Sequence, residues 1–69
     1  MNKELSFFLF LIERYAQAKG KSTGDVLQAW DAHGLTQEII NGYEEYHTER
    51  LENAFDDIDS LIATGKHAW

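Results

Sequence analysis

Sixty-nine residues with a net charge of −6, no cysteine and no proline make one small domain. A chain this short buries only roughly 60% of its unfolded surface, and such domains usually add a disulfide, a metal or a partner chain. The lack of cysteine excludes disulfides and thiolate zinc and fits a reducing cytoplasm, which leaves oligomerisation or a protein partner as the best-supported staple.

The chain opens on an apolar run, Phe7-Phe8-Leu9-Phe10-Leu11-Ile12, that Glu13 and Arg14 cut short. A membrane span needs about 20 apolar residues and a signal peptide needs a longer stretch with a small-residue cleavage site, so the chain reads as soluble and cytoplasmic. Helix one is predicted over Lys3 to Lys19, with Asn2 as N-cap and Gly20 as the left-handed stop. At about 100° per residue, Leu5, Phe8, Leu9, Ile12, Tyr15 and Ala16 share one face, whereas Phe7 and Leu11, with Phe10 nearby, form a second face on the far side. A helix apolar all round is surrounded by its own protein or covered by another chain.

Ser22-Thr23-Gly24-Asp25 is a capping signal for helix two, whose Val26, Leu27 and Trp30 share a face before Gly34 stops it. Helix three is predicted to start after Thr36, with Leu35 and Ile40 placed as a hydrophobic staple, and to run through Gly42 to His47. Gly42 inside that helix costs roughly 1 kcal/mol relative to Ala. Thr48 is the expected N-cap of helix four, Glu49 to about Thr64, which Gly65 ends. In it Leu51, Ala54, Phe55, Ile58, Leu61 and Ile62 form one apolar arc. Glu49, Glu52, Asp56 and Asp59 cluster opposite, with Asn53, Asp57 and Ser60 beside them. The fold class is therefore all-α: a small three- to four-helix bundle with the apolar N-terminal helix at its centre. Residues 1–65 form the domain and 66–69 a frayed tail.

Charge is uneven. Through Lys21 there are four bases (Lys3, Arg14, Lys19, Lys21) and two acids (Glu4, Glu13), but from Ser22 to Gly65 there are ten acids and one base, Arg50. That segment repels nucleic acid and anionic membranes and suits either a basic protein surface or plain solvation. Helix two, Gly34 and helix three resemble a helix-turn-helix in outline, yet the would-be recognition helix Gln37–Tyr46 has no Lys or Arg and three Glu, so no nucleic-acid partner is expected.

No catalytic constellation stands out. No nucleophile-elbow pattern surrounds Ser6, Ser22 or Ser60. Asp56, Asp57 and Asp59 lack the glycine and terminal Glu of a calcium loop and are expected to face solvent. Glu44-x-x-His47 has the spacing of a di-iron ligand pair, but it occurs once, so only a homodimer could complete such a site. The simpler reading of His47 is a helix C-terminus where its ring bonds loose carbonyls. No metal or other cofactor is expected. Aromatics make up 13% of the chain, and Phe7, Phe10 and Leu11 exceed what one face can bury. Interfaces favour such anchors, and a wet apolar patch risks aggregation.

The order of these features resembles a family of small, uncharacterised bacterial proteins catalogued as a domain of unknown function. The resemblance rests on Phe7–Tyr15, Lys21-Ser22-Thr23-Gly24-Asp25-Val26, Gly34-Leu35, Tyr43, Tyr46-His47-Thr48 and Asp56-Asp57-Ile58-Asp59, and spans about residues 5–64. Members are often encoded beside an ADP-ribosyltransferase-like toxin, so the resemblance implies an antitoxin-like partner protein and carries over no functional residues. The expected function is thus a non-enzymatic protein-interaction module. Phe7, Phe10 and Leu11 would be its apolar contact face, and Glu49, Glu52, Asp56 and Asp59 its acidic face against a basic groove. The alternatives are a homo-oligomer using the same apolar face without a toxin, and a metal-binding dimer.

Overall fold

Capping sets the helix limits. The Leu5 N–H donates to Asn2 Oδ1 at 2.8 Å and opens α1, Lys3–Lys19. At its end Gly20 lies at φ +68°, its N–H donates to the Gln17 carbonyl at 3.2 Å, and that of Lys21 donates to Ala16 at 2.9 Å. This paired closure is the Schellman pattern, which requires a left-handed residue. Ser22 Oγ accepts from the Asp25 N–H at 3.1 Å and starts α2, Thr23–Ala32. Three further helices follow: α3, Thr36–Asn41; α4, Tyr43–His47; and α5, Leu51–Thr64. The computed structural model describes residues 2–69, and among them there is no strand.

The count of five differs from the expected three or four because the predicted third helix is two. At Gly42 the N–H reaches back only three residues, to the Ile39 carbonyl at 3.1 Å, and the helix breaks. A Cβ at Gly42 would stand 2.7 Å from Tyr46 Cε2, so glycine is there to admit the buried Tyr46 ring. Thr36 is the first residue of α3 rather than its cap, and its hydroxyl donates to Asp31 Oδ1. Thr48 likewise closes α4 instead of opening the next helix: its hydroxyl donates to the Glu44 and Glu45 carbonyls at 3.3 and 3.2 Å. The cap of α5 falls to the extended Arg50.

The core takes Phe8, Leu11, Ile12, Tyr15 and Ala16 from α1, Val26 and Trp30 from α2, then Leu35, Ile39 and Tyr46, and Ala54, Ile58 and Leu61 from α5. Trp30 is fully buried, with the Phe8 ring 5.8 Å away and Tyr15 5.3 Å away, both edge-on. Such pairs add roughly 0.5–1.5 kcal/mol beyond the area they bury. The Trp30 Nε1–H is buried without a hydrogen-bond partner.

The buried arc of α1 is not the one the helical angles alone suggest. Leu11 is fully buried, while Leu5 and Leu9, expected inside, are 39% and 46% exposed. The reason is where the neighbours lie. Tyr43 and His47 of α4 pack edge-on against Phe7, at 5.6 and 6.3 Å, so this side of α1 is covered and the burial shifts toward Phe7 and Leu11.

The tail expected to fray instead runs back along the domain. The His67 ring lies between Asp57 and Glu38, and the Trp69 ring stands edge-on to Tyr46 at 5.5 Å.

Candidate functional site

The expected apolar contact face divides. Phe10 is 44% exposed, with the Arg14 guanidinium 5.0 Å above its ring. Phe7 is half-buried against α4, and Leu11 has no surface to offer a partner. The exposed large apolar side chains of α1 are Leu5, Leu9 and Phe10. By helical angle Leu5 and Leu9 lie along one edge of the solvent side and Phe10 along the other, with Ser6 and Glu13 between.

The expected acidic face divides too. Glu49, Glu52 and Asp56 are exposed. Asp59 is not a free acid: it accepts from the Tyr15 hydroxyl at 2.6 Å and from Lys19 Nζ at 2.8 Å, which ties α5 to α1. Burial pushes the Asp59 carboxyl up, but the Lys19 and Tyr15 hydrogen bonds and the Lys19 charge outweigh it and hold it below its ordinary value. Burial, with the hydrogen bond to Asp59 and its charge, pushes the Tyr15 phenol well above its own.

Asp57, expected to face solvent, is 1% exposed. Its Oδ2 accepts from the Tyr46 hydroxyl at 2.5 Å and faces His67 Nδ1 at 2.7 Å, and its Oδ1 accepts from the Ala68 N–H at 2.5 Å. A buried carboxylate without partners would cost several kcal/mol. Here two segments supply them: α4 through Tyr46, and the residues after α5 through His67 and Ala68. The His67 ring continues the network, its Nε2 2.7 Å from Glu38 Oε2 of α3. Burial, together with the hydrogen bond to Asp57 and its charge, pushes the Tyr46 phenol well above the ordinary tyrosine value.

One signal of Asp57 was present in the helical angles: it lies 40° from Leu61, so it borders the apolar arc of α5 instead of standing opposite it. Nothing local to α5 announces His67 as its partner, because the two meet only when the chain turns back at Gly65, which sits at φ +76°. His47 Nδ1 lies 2.6 Å from the Tyr43 carbonyl, the local bond of a histidine at a helix end. Among the described residues no group of three or more His, Asp or Glu side chains is placed to hold a metal ion.

Helices alone, a core of aromatics and leucines, and one buried polar network define a small all-α domain. Within that class the chain belongs to the family described as "Protein of unknown function (DUF3791)", whose model matches residues 6–64. No curated protein and no solved structure matches it. No helix among the described residues is long and apolar enough to cross a membrane.

Proposed function

We propose that this chain is a non-enzymatic protein-interaction module, a helical bundle organised around α1, and that it acts as the antitoxin-like partner of a cytoplasmic ADP-ribosyltransferase-type toxin. The observation that carries the interaction reading is the exposure of Leu5, Leu9 and Phe10 on a single helix of a small domain. Large apolar side chains left wet on one element are what a partner covers. The nature of the toxin comes from the resemblance alone.

The mechanism is occlusion. Leu5, Leu9 and Phe10 bury against the partner, and the exposed acids Glu49, Glu52 and Asp56 face a basic groove of the kind that holds dinucleotide phosphates. Charge complementarity of this sort governs association rate more than final affinity.

The test is a tagged pull-down from the native host with a stoichiometry estimate. A near-equimolar ADP-ribosyltransferase-like protein supports the reading. Recovery of this chain alone, at a mass above the monomer, replaces it with a homo-oligomer covering the same face. With a partner in hand, Glu52→Lys with Asp56→Lys should slow association and flatten its salt dependence, and unchanged kinetics would remove the acidic face from the mechanism.

A further inference from the structure

Both ring nitrogens of His67 face carboxylate oxygens: Nδ1 is 2.7 Å from Asp57 Oδ2, and Nε2 is 2.7 Å from Glu38 Oε2. An ionised carboxylate only accepts hydrogen bonds, and a neutral imidazole carries one N–H. A neutral ring would therefore set a lone pair against one of the two carboxylates. Only the doubly protonated imidazolium satisfies both at these distances.

The ring also holds Trp69. Trp69 stacks on it at 4.3 Å and 14°, a geometry that a cationic ring strengthens. The next residue, Ala68, donates its N–H to Asp57 Oδ1, and the Trp69 ring lies edge-on to Tyr46. The side-chain bonds that tie residues 67–69 to α3 and α5 thus centre on one imidazole and the carboxylates around it.

The titratable groups around that imidazole come from three helices. Asp57 on α5 and Glu38 on α3 bond the ring, and the neutral Tyr46 phenol on α4, with Glu45 acting on it from the same helix, bonds Asp57 beside it. Among the described residues no Lys or Arg pairs with Asp57 or Glu38. The imidazolium is the one cation bonded to the buried Asp57, so its neutralisation leaves two facing carboxylates with no charge between them.

We propose that His67–Trp69 forms a proton-latched strap, docked on α3, α4 and α5 while His67 is doubly protonated and released when the ring loses a proton, with Lys66 still held by the Ser60 hydroxyl. Release uncovers the Tyr46 ring and the Asp57 carboxylate beneath it, and a groove lined by Glu45, Thr48, Glu49 and Ala54, whose lip Trp69 forms. The direction of the pH response follows from the environment. Burial pushes the His67 ring down, but the hydrogen bonds to Glu38 and Asp57 and their charges outweigh it and raise it above 6.5. With a folded value above the unfolded one, the latch is fully present below pH 6.5 and is lost as pH climbs through the raised value.

The experiment is fluorine NMR of the full chain carrying 5-fluorotryptophan, titrated upward from about pH 5.5, with Trp69→Phe used to assign the two resonances. The Trp69 ring is 63% exposed when docked, so release is read as movement of its signal to the position it takes in the urea-unfolded chain, beyond the shift that titration of the stacked His67 ring alone would cause, with a midpoint above 6.5, while the signal of the buried Trp30 stays in place and reports an intact core. Glu38→Gln, at a carboxylate 53% exposed and so tolerant of change, should move the midpoint to lower pH. His67→Gln should abolish the transition. The proposal is overturned if Trp69 stays put across the titration in the native chain, or if the same transition survives in His67→Gln.

Discussion

The Tyr46 hydroxyl and the Asp57 carboxylate, eleven residues apart in the chain, meet at 2.5 Å in the interior and join α4 to α5. Each is buried, so neither has water to fall back on when the other is removed. Tyr46→Phe should destabilise the domain by about 1.5–3 kcal/mol in urea unfolding, the range for a hydrogen bond to a charged group. Asp57→Ala should cost more than that, because it strands the Tyr46 hydroxyl and the Ala68 N–H together. A loss below about 0.5 kcal/mol for both variants, the level of an ordinary surface change, would mean that the carboxylate is solvated in solution.

Gly42 is a packing glycine. Its φ of −82° suits any residue, so backbone strain is not the issue. Space is, because an added Cβ would meet Tyr46 Cε2 at 2.7 Å and that ring is pinned by Asp57. Gly42→Ala, which would stabilise by about 0.4–1 kcal/mol if only the lost freedom of the unfolded chain counted, should instead destabilise by about 1–3 kcal/mol, the usual cost of overpacking. Thermal melting of the single variant decides the sign.

Leu9 and Leu11 separate the two sides of α1. Leu11 is fully buried and Leu9 is 46% exposed. Leu11→Ala should cost about 2–5 kcal/mol through lost burial and the cavity left behind. Leu9→Ala should cost well under half of that and should weaken any association that covers Leu5 and Leu9. Equal losses in chemical denaturation of the two variants would show that the helix is rotated from the position described.

Alkaline pH should unfold the domain. Burial and the Asp59 carboxylate beside it raise the Tyr15 phenol above the ordinary value of 10.0. A raised folded value means that its contribution is fully present below pH 10 and lost above it, because the unfolded chain then releases a proton that the folded one retains. Stability should fall by about 1.4 kcal/mol per pH unit on this account. Urea unfolding above pH 10 should show a steeper fall in the native chain than in Tyr15→Phe. Equal slopes in the two would contradict it.

How much of this was legible in the chain differs by feature. The apolar arc of α5 was readable, since Ala54, Ile58 and Leu61 recur at helical spacing and all are buried. The apolar excess on α1 was readable as an excess, but its placement was not. Angles around a helix say which residues share a side, and they do not say on which side the next helices will lie. α4 came to rest against Phe7, and so Leu11 went in and Leu9 stayed out.

The sequence by itself determined the helix ends that close on themselves: Asn2 and Ser22 at two starts, and Gly20 and Gly65 at two ends. Those signals are bonds between residues three to five apart, made in any chain that starts to coil. Only the tertiary structure decided that Asp57 is an interior acid, that Asp59 belongs to Tyr15 and Lys19, and that His67 lies against Glu38 and Trp69 against Tyr46. These pairings span 10 to 44 residues, and a carboxylate on the margin of a helix face becomes buried or solvated according to what arrives from elsewhere in the chain.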